Sequence, residues 1–275
     1  MMLRRLLLLF LIFLIIAWIF IAYREAHRIQ ISYQTIQLAH LPKAFDGFQI
    51  LLMSDLHLGT DSSLTDQLLY QLNSVRADLL LIAGDFRNLY ADERATTSQL
   101  LRLLAGIQKF PHTYAVRGNM DSVLMMQQVE TLGIRVLRNE REIFKRGNAT
   151  LGIAGAAAPF STGALNRCLQ RFQDPQGKPL PECQILLAHF PDVILWEEAR
   201  QADLILAGHT HGGQIRIPFL GPLWTKSKLG RKYASGLFTF GNTQLFITRG
   251  VGTAYVPLRF LSPPEIVLIT LRSDH

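Results

Sequence analysis

The chain has 275 residues, 49% of them apolar and 18% charged, with a formal net charge of +7. This composition excludes a disordered chain, and the length allows one sizeable domain beside a membrane segment. The basic excess favours anionic partners, whether phosphorylated metabolites, a lipid surface or nucleic acid.

From Leu6 to Tyr23 no charge interrupts the chain. At about 1.5 Å per residue this stretch covers most of a hydrocarbon core roughly 30 Å thick. Arg4 and Arg5 precede it, Arg24 and Arg28 follow it, and Trp18 and Tyr23 suit the headgroup level. A secretory signal has a shorter apolar region, about 7–15 residues, and a small-residue cleavage site. Tyr23-Arg24-Glu25 offers no such site, so residues 1–28 are expected to be an uncleaved anchor and residues 29–275 one domain. The N-terminal amine with Arg4 and Arg5 slightly outweighs Arg24, Arg28 and Glu25, which favours a cytoplasmic N-terminus and an exported domain. A short anchor lying in one leaflet, with a cytoplasmic domain, is the alternative.

Ile29–Leu38 alternates loosely and predicts an edge strand. Pro42–Gly47 is a turn, and Phe48–Met53 a buried strand. The pattern then repeats, each apolar run closing on polar residues: Leu79–Ala83 on Gly84-Asp85, Thr113–Val116 on Arg117-Gly118-Asn119, Ile185–Ala188 on His189, and Leu204–Ala207 on Gly208-His209. Helical stretches fall at about 63–76, 91–108 and 122–132. Strands alternating with helices indicate an α/β fold. Phe144–Ala154, with Gly147-Asn148, and Leu237–Thr248, with Gly241-Asn242, predict hairpins. Gly212–Ala234 reads as a long irregular loop. The two cysteines, Cys168 and Cys183, have neither zinc-knuckle spacing nor a disulfide framework and read as ordinary small residues.

Five polar motifs thus sit at strand ends: Asp55-Leu56-His57, Gly84-Asp85, Gly118-Asn119, His189 and Gly208-His209-Thr210-His211. In open α/β sheets, residues beyond the carboxyl ends of strands converge in one crevice. The extended period of two is expected to turn Asp55 and His57 to one side, and likewise His209 and His211. Any one motif is weak, since Gly-Asp is usually a turn and a lone His usually structural. Together they make a strong signal. Four of the eight histidines lie inside the motifs, while His27, His40, His112 and His275 lie outside and receive no role. Carboxylates, imidazoles and an amide without thiolate suit Mn, Fe or Zn better than copper or an iron–sulfur cluster. Seven donors exceed one tetrahedral site but fit two divalent metal ions sharing a carboxylate. Such a pair can activate a bridging water near neutral pH and bind phosphoryl oxygens.

The order of these motifs resembles the calcineurin-like metallophosphoesterases, from about Gln49 to the C-terminus. Ser54-Asp-Leu-His-Leu-Gly59, Ala207-Gly-His-Thr-His-Gly-Gly-Gln214, Arg249-Gly-Val-Gly252 and Pro263-Pro-Glu265 are similar to the family's bacterial membrane-associated branch. The resemblance implies a four-layer α/β/β/α sandwich of two mixed sheets and a place in the bacterial cell membrane. It also implies a division of ligands: Asp55, His57 and His211 on one ion, Asn119, His189 and His209 on the other, and Asp85 bridging. Asp85, Asn119 and His189 would then be central to catalysis, with manganese the expected metal and Fe, Zn or Mg also compatible. Two departures stand out. Asn88 takes the place of a frequent second acid, and Gly118-Asn119-Met120 replaces the family's Gly-Asn-His. That histidine neutralises charge and protonates the leaving group, and general acid catalysis contributes about 10²–10⁴-fold. Arg87, Arg117 and Asp121 are the candidate substitutes. A phosphate leaving group, with its second pKa near 6, needs little protonation, so Met120 tilts the expectation toward a pyrophosphate bond.

Pro218–Tyr233 mixes Phe219, Leu223 and Trp224 with Lys226, Lys228, Arg231 and Lys232, which suits membrane lipids or an amphiphilic phosphorylated substrate. A solvated surface loop is the plainer alternative. Nucleic acid is disfavoured, as no recognition helix or RNA-binding signature is visible. The expected function is hydrolysis of a phosphodiester or pyrophosphate bond, most concretely in a UDP-2,3-diacylglucosamine-type lipid, an activity the resemblance suggests. Alternatives are a general envelope phosphodiesterase on the exported side, and a membrane-tethered metal-binding scaffold with vestigial activity.

Overall fold

A computed structural model describes residues 2–59, 61–169 and 181–274; His275 lies outside them. Helix α1 (Met2–Ala26) is followed by β1 (Gln30–Leu38), β2 (Gln49–Met53), α2 (Ser62–Ser74), β3 (Leu79–Ile82), α3 (Glu93–Ile107), β4 (Thr113–Ala115), α4 (Val123–Thr131) and β5 (Arg135–Val136). Then come β6 (Glu140–Arg146), β7 (Ala149–Ala156), α5 (Thr162–Leu169), β8 (Cys183–Ala188), β9 (Leu204–Ala207), β10 (Arg216–Ile217) and β11 (Gly221–Pro222). The chain ends with β12 (Gly236–Phe240), β13 (Thr243–Ile247) and β14 (Glu265–Ser273).

Two six-stranded mixed sheets form, ordered β1-β14-β2-β3-β4-β5 and β12-β13-β9-β8-β7-β6. In the first, β14 is antiparallel to β2 while β2 through β5 run parallel. In the second, β13, β9, β8 and β7 are parallel, and the two predicted hairpins supply antiparallel edges. Three apolar clusters account for the stacking. Ile50, Leu52, Leu81, Leu187 and Leu206 fill the space between the sheets. Leu51, Met53, Leu80 and Ile82 point the other way, against Leu68 and Leu72 of α2, Leu100 and Leu103 of α3 and Val129 of α4. Leu186, Ala188 and Ile205 meet Leu165, Cys168 and Leu169 of α5. Strands buried on both faces read as unbroken apolar runs, which is why Leu79-Leu-Leu-Ile82 shows no alternation. The order of layers is helices, sheet, sheet, helix.

The three longer helices on the first sheet begin on side-chain caps. Asp61, Asp92 and Ser122 accept from the backbone N–H groups of Ser63, Arg94 and Met125 respectively, satisfying donors that the first helical turn leaves free. Gly212–Ala234 is not wholly irregular: β10 and β11 pair as a short antiparallel ribbon with Pro218–Leu220 at its tip.

Helix α1 is the one described helix long and apolar enough to cross a membrane. Among the described residues, its contacts with the domain lie towards its C-terminal end, from Trp18 onward. Ala22 and Ala26 are buried, the Arg259 N–H donates to the Ala22 carbonyl (3.0 Å), and Glu25 Oε1 accepts from the Ser262 N–H (2.7 Å).

Candidate metal centre

The parallel strands of both sheets deliver their C-terminal ends to one edge of the sandwich. Asp55 and His57 follow β2, Asp85 follows β3, Asn119 follows β4, His189 follows β8, and His209 and His211 follow β9. The sheets are stitched together there: His189 Nδ1 donates to the Ala83 carbonyl (2.7 Å) and the His209 N–H to Asp55 Oδ2 (2.9 Å). All seven side chains converge.

They form two adjoining donor sets. In one, His57 Nε2 lies 3.2 Å from His211 Nε2, and Asp55 Oδ1 lies 3.5 Å from the same His211 nitrogen. In the other, His189 Nε2 lies 3.0 Å from Asn119 Oδ1 and 3.2 Å from His209 Nδ1. Asp85 Oδ2 stands between them, 3.9 Å from His57 Nε2 and 3.5 Å from His189 Nε2. Asp55 Oδ1 is buried with no hydrogen-bond partner among the described residues, although Oδ2 takes the Ser54 hydroxyl and the His209 N–H. Buried carboxylate oxygens are rarely left orphaned. Imidazole nitrogens and carboxylate oxygens converging at these distances fit a divalent cation.

The alignment does not come from extended backbone, as the sequence reading expected. Asp55, His57, Asp85, His209 and His211 have φ of 53°, 44°, 56°, 72° and 52°. Left-handed residues re-aim the chain where an extended strand would have carried it past the site, and each such non-glycine residue costs roughly 1–2 kcal/mol. Glycines allow the resulting close approach. A Cβ on Gly118 would fall onto Asp85 Oδ1, and one on Gly208 would strike the Ser54 hydroxyl.

Asp121 corrects a second expectation. Its two carboxylate oxygens accept the backbone N–H groups of Asp85, Phe86 and Gly118 at 2.8, 2.8 and 2.9 Å, and that of Arg87 at 3.3 Å. Fully engaged, it shapes the loop that carries Asp85 and cannot serve as a proton donor in place of the missing histidine. Arg117 donates to the Ala158 carbonyl and Arg87 pairs with Glu93; neither lines the cleft. Asn88 accepts from the Tyr90 N–H and serves the local turn.

Arg259 was missed altogether. It is fully buried, and its guanidinium donates to the carbonyls of Gly252 (2.6 Å), Arg249 (2.9 Å), Ser262 (3.0 Å) and His211 (3.3 Å). Burial lowers its pKa to about 10. It ties the Arg249–Gly252 segment to the His211 backbone, and Gly250 and Gly252 lie against Asp55 and His57 closely enough that a Cβ would come within 2.8 and 2.7 Å of theirs. Its signal was an arginine lying between two motifs already singled out.

Electrostatics follow from burial and crowding. Burial pushes the Asp85 carboxyl up to about 7, with Asp55 and Asp121 adding to the rise and His189 opposing it. Burial likewise lowers His57 and His209 to about 4. For His189 burial opposes protonation, but Asp85, Asp55 and the Ala83 carbonyl outweigh it and raise the pKa. For Asp55 burial is outweighed by His211, His189, His57 and the Ser54 hydroxyl, which hold it below the usual range. The metal-free site therefore holds protons on Asp85 and His189 at pH values where His57 and His209 are already free bases. Cation uptake must expel these protons, so affinity should fall as pH drops below about 7. Calorimetric titration with Mn²⁺ in buffers of different ionisation enthalpy should show release of about one proton or more per chain at pH 6, with the Asp85 contribution gone above its pKa. No buffer dependence at pH 6 would contradict this.

The cleft above the donors encloses about 310 Å³. Its floor is His57, Asp85, Asn119, His209 and His211, and its walls include Met120, Ile215, Leu223, Trp224, Tyr255 and Val256. Lys226 is the one Lys or Arg among its lining residues, with Nζ 3.9 Å from the Tyr255 ring centroid.

A sandwich of two mixed sheets with convergent carboxylates and imidazoles at their shared edge defines a metal-dependent hydrolase of the metallophosphatase class. Residues 48–213 match the calcineurin-like phosphoesterases, and the chain belongs to that family. It is 31% identical over 269 residues to YkuE of Bacillus subtilis (strain 168), described as an uncharacterized metallophosphoesterase, covering 92% of this chain and 89% of that one. It is 29% identical over 236 residues to the phosphodiesterase YaeI of Escherichia coli (strain K12), covering 82% of each. A transmembrane protein with a metallophosphoesterase domain from Danio rerio is 27% identical over 259 residues, covering 86% of this chain and 56% of that protein.

Proposed function

We propose that the chain is a membrane-anchored phosphohydrolase cleaving a phosphodiester or pyrophosphate bond in an amphiphilic substrate, with two divalent cations shared through Asp85. One observation carries this reading: a polar donor floor opens directly into a cleft walled by Met120, Ile215, Leu223, Trp224, Tyr255 and Val256. A fully ionic substrate gains nothing from such walls, whereas burial of acyl carbon is worth about 25 cal/mol per Å².

Asp55, His57 and His211 would hold one cation, and Asn119, His189 and His209 the other, with manganese the best-fitting metal. Bound cations would neutralise phosphoryl charge and activate a water near neutral pH. The protein supplies the rest. The Ala83 carbonyl fixes the His189 tautomer, leaving Nε2 to face the site. The Met120 N–H donates to Asp85 Oδ1 (2.8 Å), which leaves Oδ2 facing His57 and His189. Lys226 brings a cation to the cleft mouth to bind the anionic part of the substrate. Met120 offers no proton, so a leaving group that departs as a phosphate or another weak base suits the site best.

The test is to incubate the purified full chain with Mn²⁺ and a nucleotide-diphosphate lipid such as UDP-2,3-diacylglucosamine in vesicles. Release of nucleoside monophosphate is expected. Cleavage of simple diesters with no monophosphate released would rule out the pyrophosphate reading. Lys226→Ala should lower kcat/KM about tenfold or more, in keeping with the about 1.5–3 kcal/mol of a hydrogen bond to a charged group, with Lys226→Arg recovering most of it. An unchanged kcat/KM would remove Lys226 from the site.

The charges flanking α1 favour a second reading, an envelope phosphodiesterase on the exported side. A reporter fused to the C-terminus distinguishes the two, since a nucleotide-linked lipid requires a cytoplasmic domain.

A further inference from the structure

The apolar wall of the cleft continues outward onto an exposed surface at the tip of the β10–β11 ribbon. Phe219 at the tip of the β10–β11 ribbon is fully exposed, Leu220 is 71% exposed, and Leu223 and Trp224 just beyond it are 56% and 64% exposed. Tyr255 and Val256, from a separate segment, are also exposed and complete the wall. Apolar side chains from two distant segments gathered at one cleft mouth form a patch rather than scattered surface residues. Behind the tip follow Lys226, Lys228, Arg231 and Lys232.

This surface is continuous with the seat of α1. The strand entering the ribbon bonds to Phe260, through the Arg216 N–H to its carbonyl (2.9 Å) and its own N–H to the Gln214 carbonyl (2.9 Å). The Phe260 ring packs edge-on against Trp18 of α1, with centroids 5.8 Å apart. Towards the N-terminus from Trp18, the apolar side chains of α1 are exposed. Trp18, Phe260 and the root of the ribbon are thus neighbours, and aromatic residues with a basic collar characterise a protein surface at the level of lipid headgroups.

Resting on the reading of α1 as an anchor and of the substrate as amphiphilic, we propose that the Phe219–Trp224 ribbon with Tyr255 and Val256 inserts into the headgroup–acyl boundary of an anionic bilayer. It is a second membrane contact beside α1, and it presents the cleft mouth to the lipid phase so that substrate enters from the side without leaving the membrane. A bilayer fits better than a protein groove because the patch protrudes at a hairpin tip and the charged residues that follow it, Lys226, Lys228, Arg231 and Lys232, are cations.

The test uses the full chain in vesicles of phosphatidylglycerol and phosphatidylethanolamine. Of the three tryptophans, Trp18 and Trp196 are replaced by Phe, leaving Trp224 as the sole reporter. Lipids brominated near the top of the acyl chain should quench its fluorescence by about half, as expected for side chains lying about 5–10 Å into the boundary. Adding Phe219→Glu and Leu220→Glu should abolish the quenching. The same pair in the otherwise unsubstituted chain should slow turnover of vesicle-embedded substrate at least about tenfold, the scale of losing two buried apolar side chains. It should leave hydrolysis of soluble bis-p-nitrophenyl phosphate unchanged. Unquenched Trp224, or quenching that follows protein concentration and not lipid, overturns the proposal. So does a Glu pair that processes embedded substrate at the parent rate. Failure of the parent to hydrolyse any phosphoester would instead defeat the functional reading, while the quenching alone still decides the surface.

Discussion

Asp85→Ala should lower kcat/KM by at least about 10³-fold, beyond the 10–100-fold typical of losing an outer partner of a metal ligand. Asp85 Oδ2 stands between the two donor sets, 3.5 Å from His189 and 3.9 Å from His57. Without it two cations would face each other with no shared anion, and Coulomb repulsion between such charges is severe where little water screens them. The variant should also bind less than one Mn²⁺ per chain tightly. Folding should survive, because Asp121 continues to anchor the surrounding backbone N–H groups. Circular dichroism and metal analysis on the same preparation separate loss of the site from loss of the fold. Asp66→Ala, at an exposed carboxylate paired with Arg102, is the control. A folded Asp85→Ala enzyme retaining a tenth of parental activity would eliminate the shared-carboxylate arrangement.

The scaffold was legible because its signals are redundant. Leu79-Leu-Leu-Ile82 and Ile185-Leu-Leu-Ala188 are too apolar for any surface strand, and each closes on a polar residue at a strand's C-terminal end. Gly147-Asn148 and Gly241-Asn242 mark both hairpins. What the residues do locally was harder to read. Nothing in Asp55, His57 or His211 announces a left-handed backbone, which goes with tertiary neighbours distant in sequence, Gly250 against Asp55 and Gly252 against His57. Asp121 was read as a possible acid because a lone carboxylate looks the same in sequence whether it faces solvent or four backbone N–H groups. Arg259 lay between two motifs but belonged to neither, and the convergence of several loop carbonyls explains why a fully buried arginine is tolerated.

Met120→His should raise kcat for diesters with alkyl leaving groups by about 10²-fold, the lower end of what a positioned general acid contributes. The Met120 N–H bonds Asp85 Oδ1, and its side chain lines the cleft beside Asn119. An imidazole there would face the bound phosphoryl group without displacing any of the seven candidate ligands. Alkoxides leave as strong bases and need the proton, whereas p-nitrophenolate and a phosphate do not. The gain should therefore shrink to within about threefold for p-nitrophenyl esters and pyrophosphates, whose barriers a proton donor hardly lowers. Measuring kcat across leaving groups of graded pKa gives two lines that diverge towards the basic end. The variant should also acquire a descending basic pH limb for the alkyl substrates alone, as kcat falls when a donor with pKa near 6.5 loses its proton at higher pH. A uniform gain for all leaving groups would mean that the imidazole acts through charge. A uniform loss would mean that the apolar thioether itself contributes to binding the lipid-like part of the substrate, and the preference for a phosphate leaving group would need another cause.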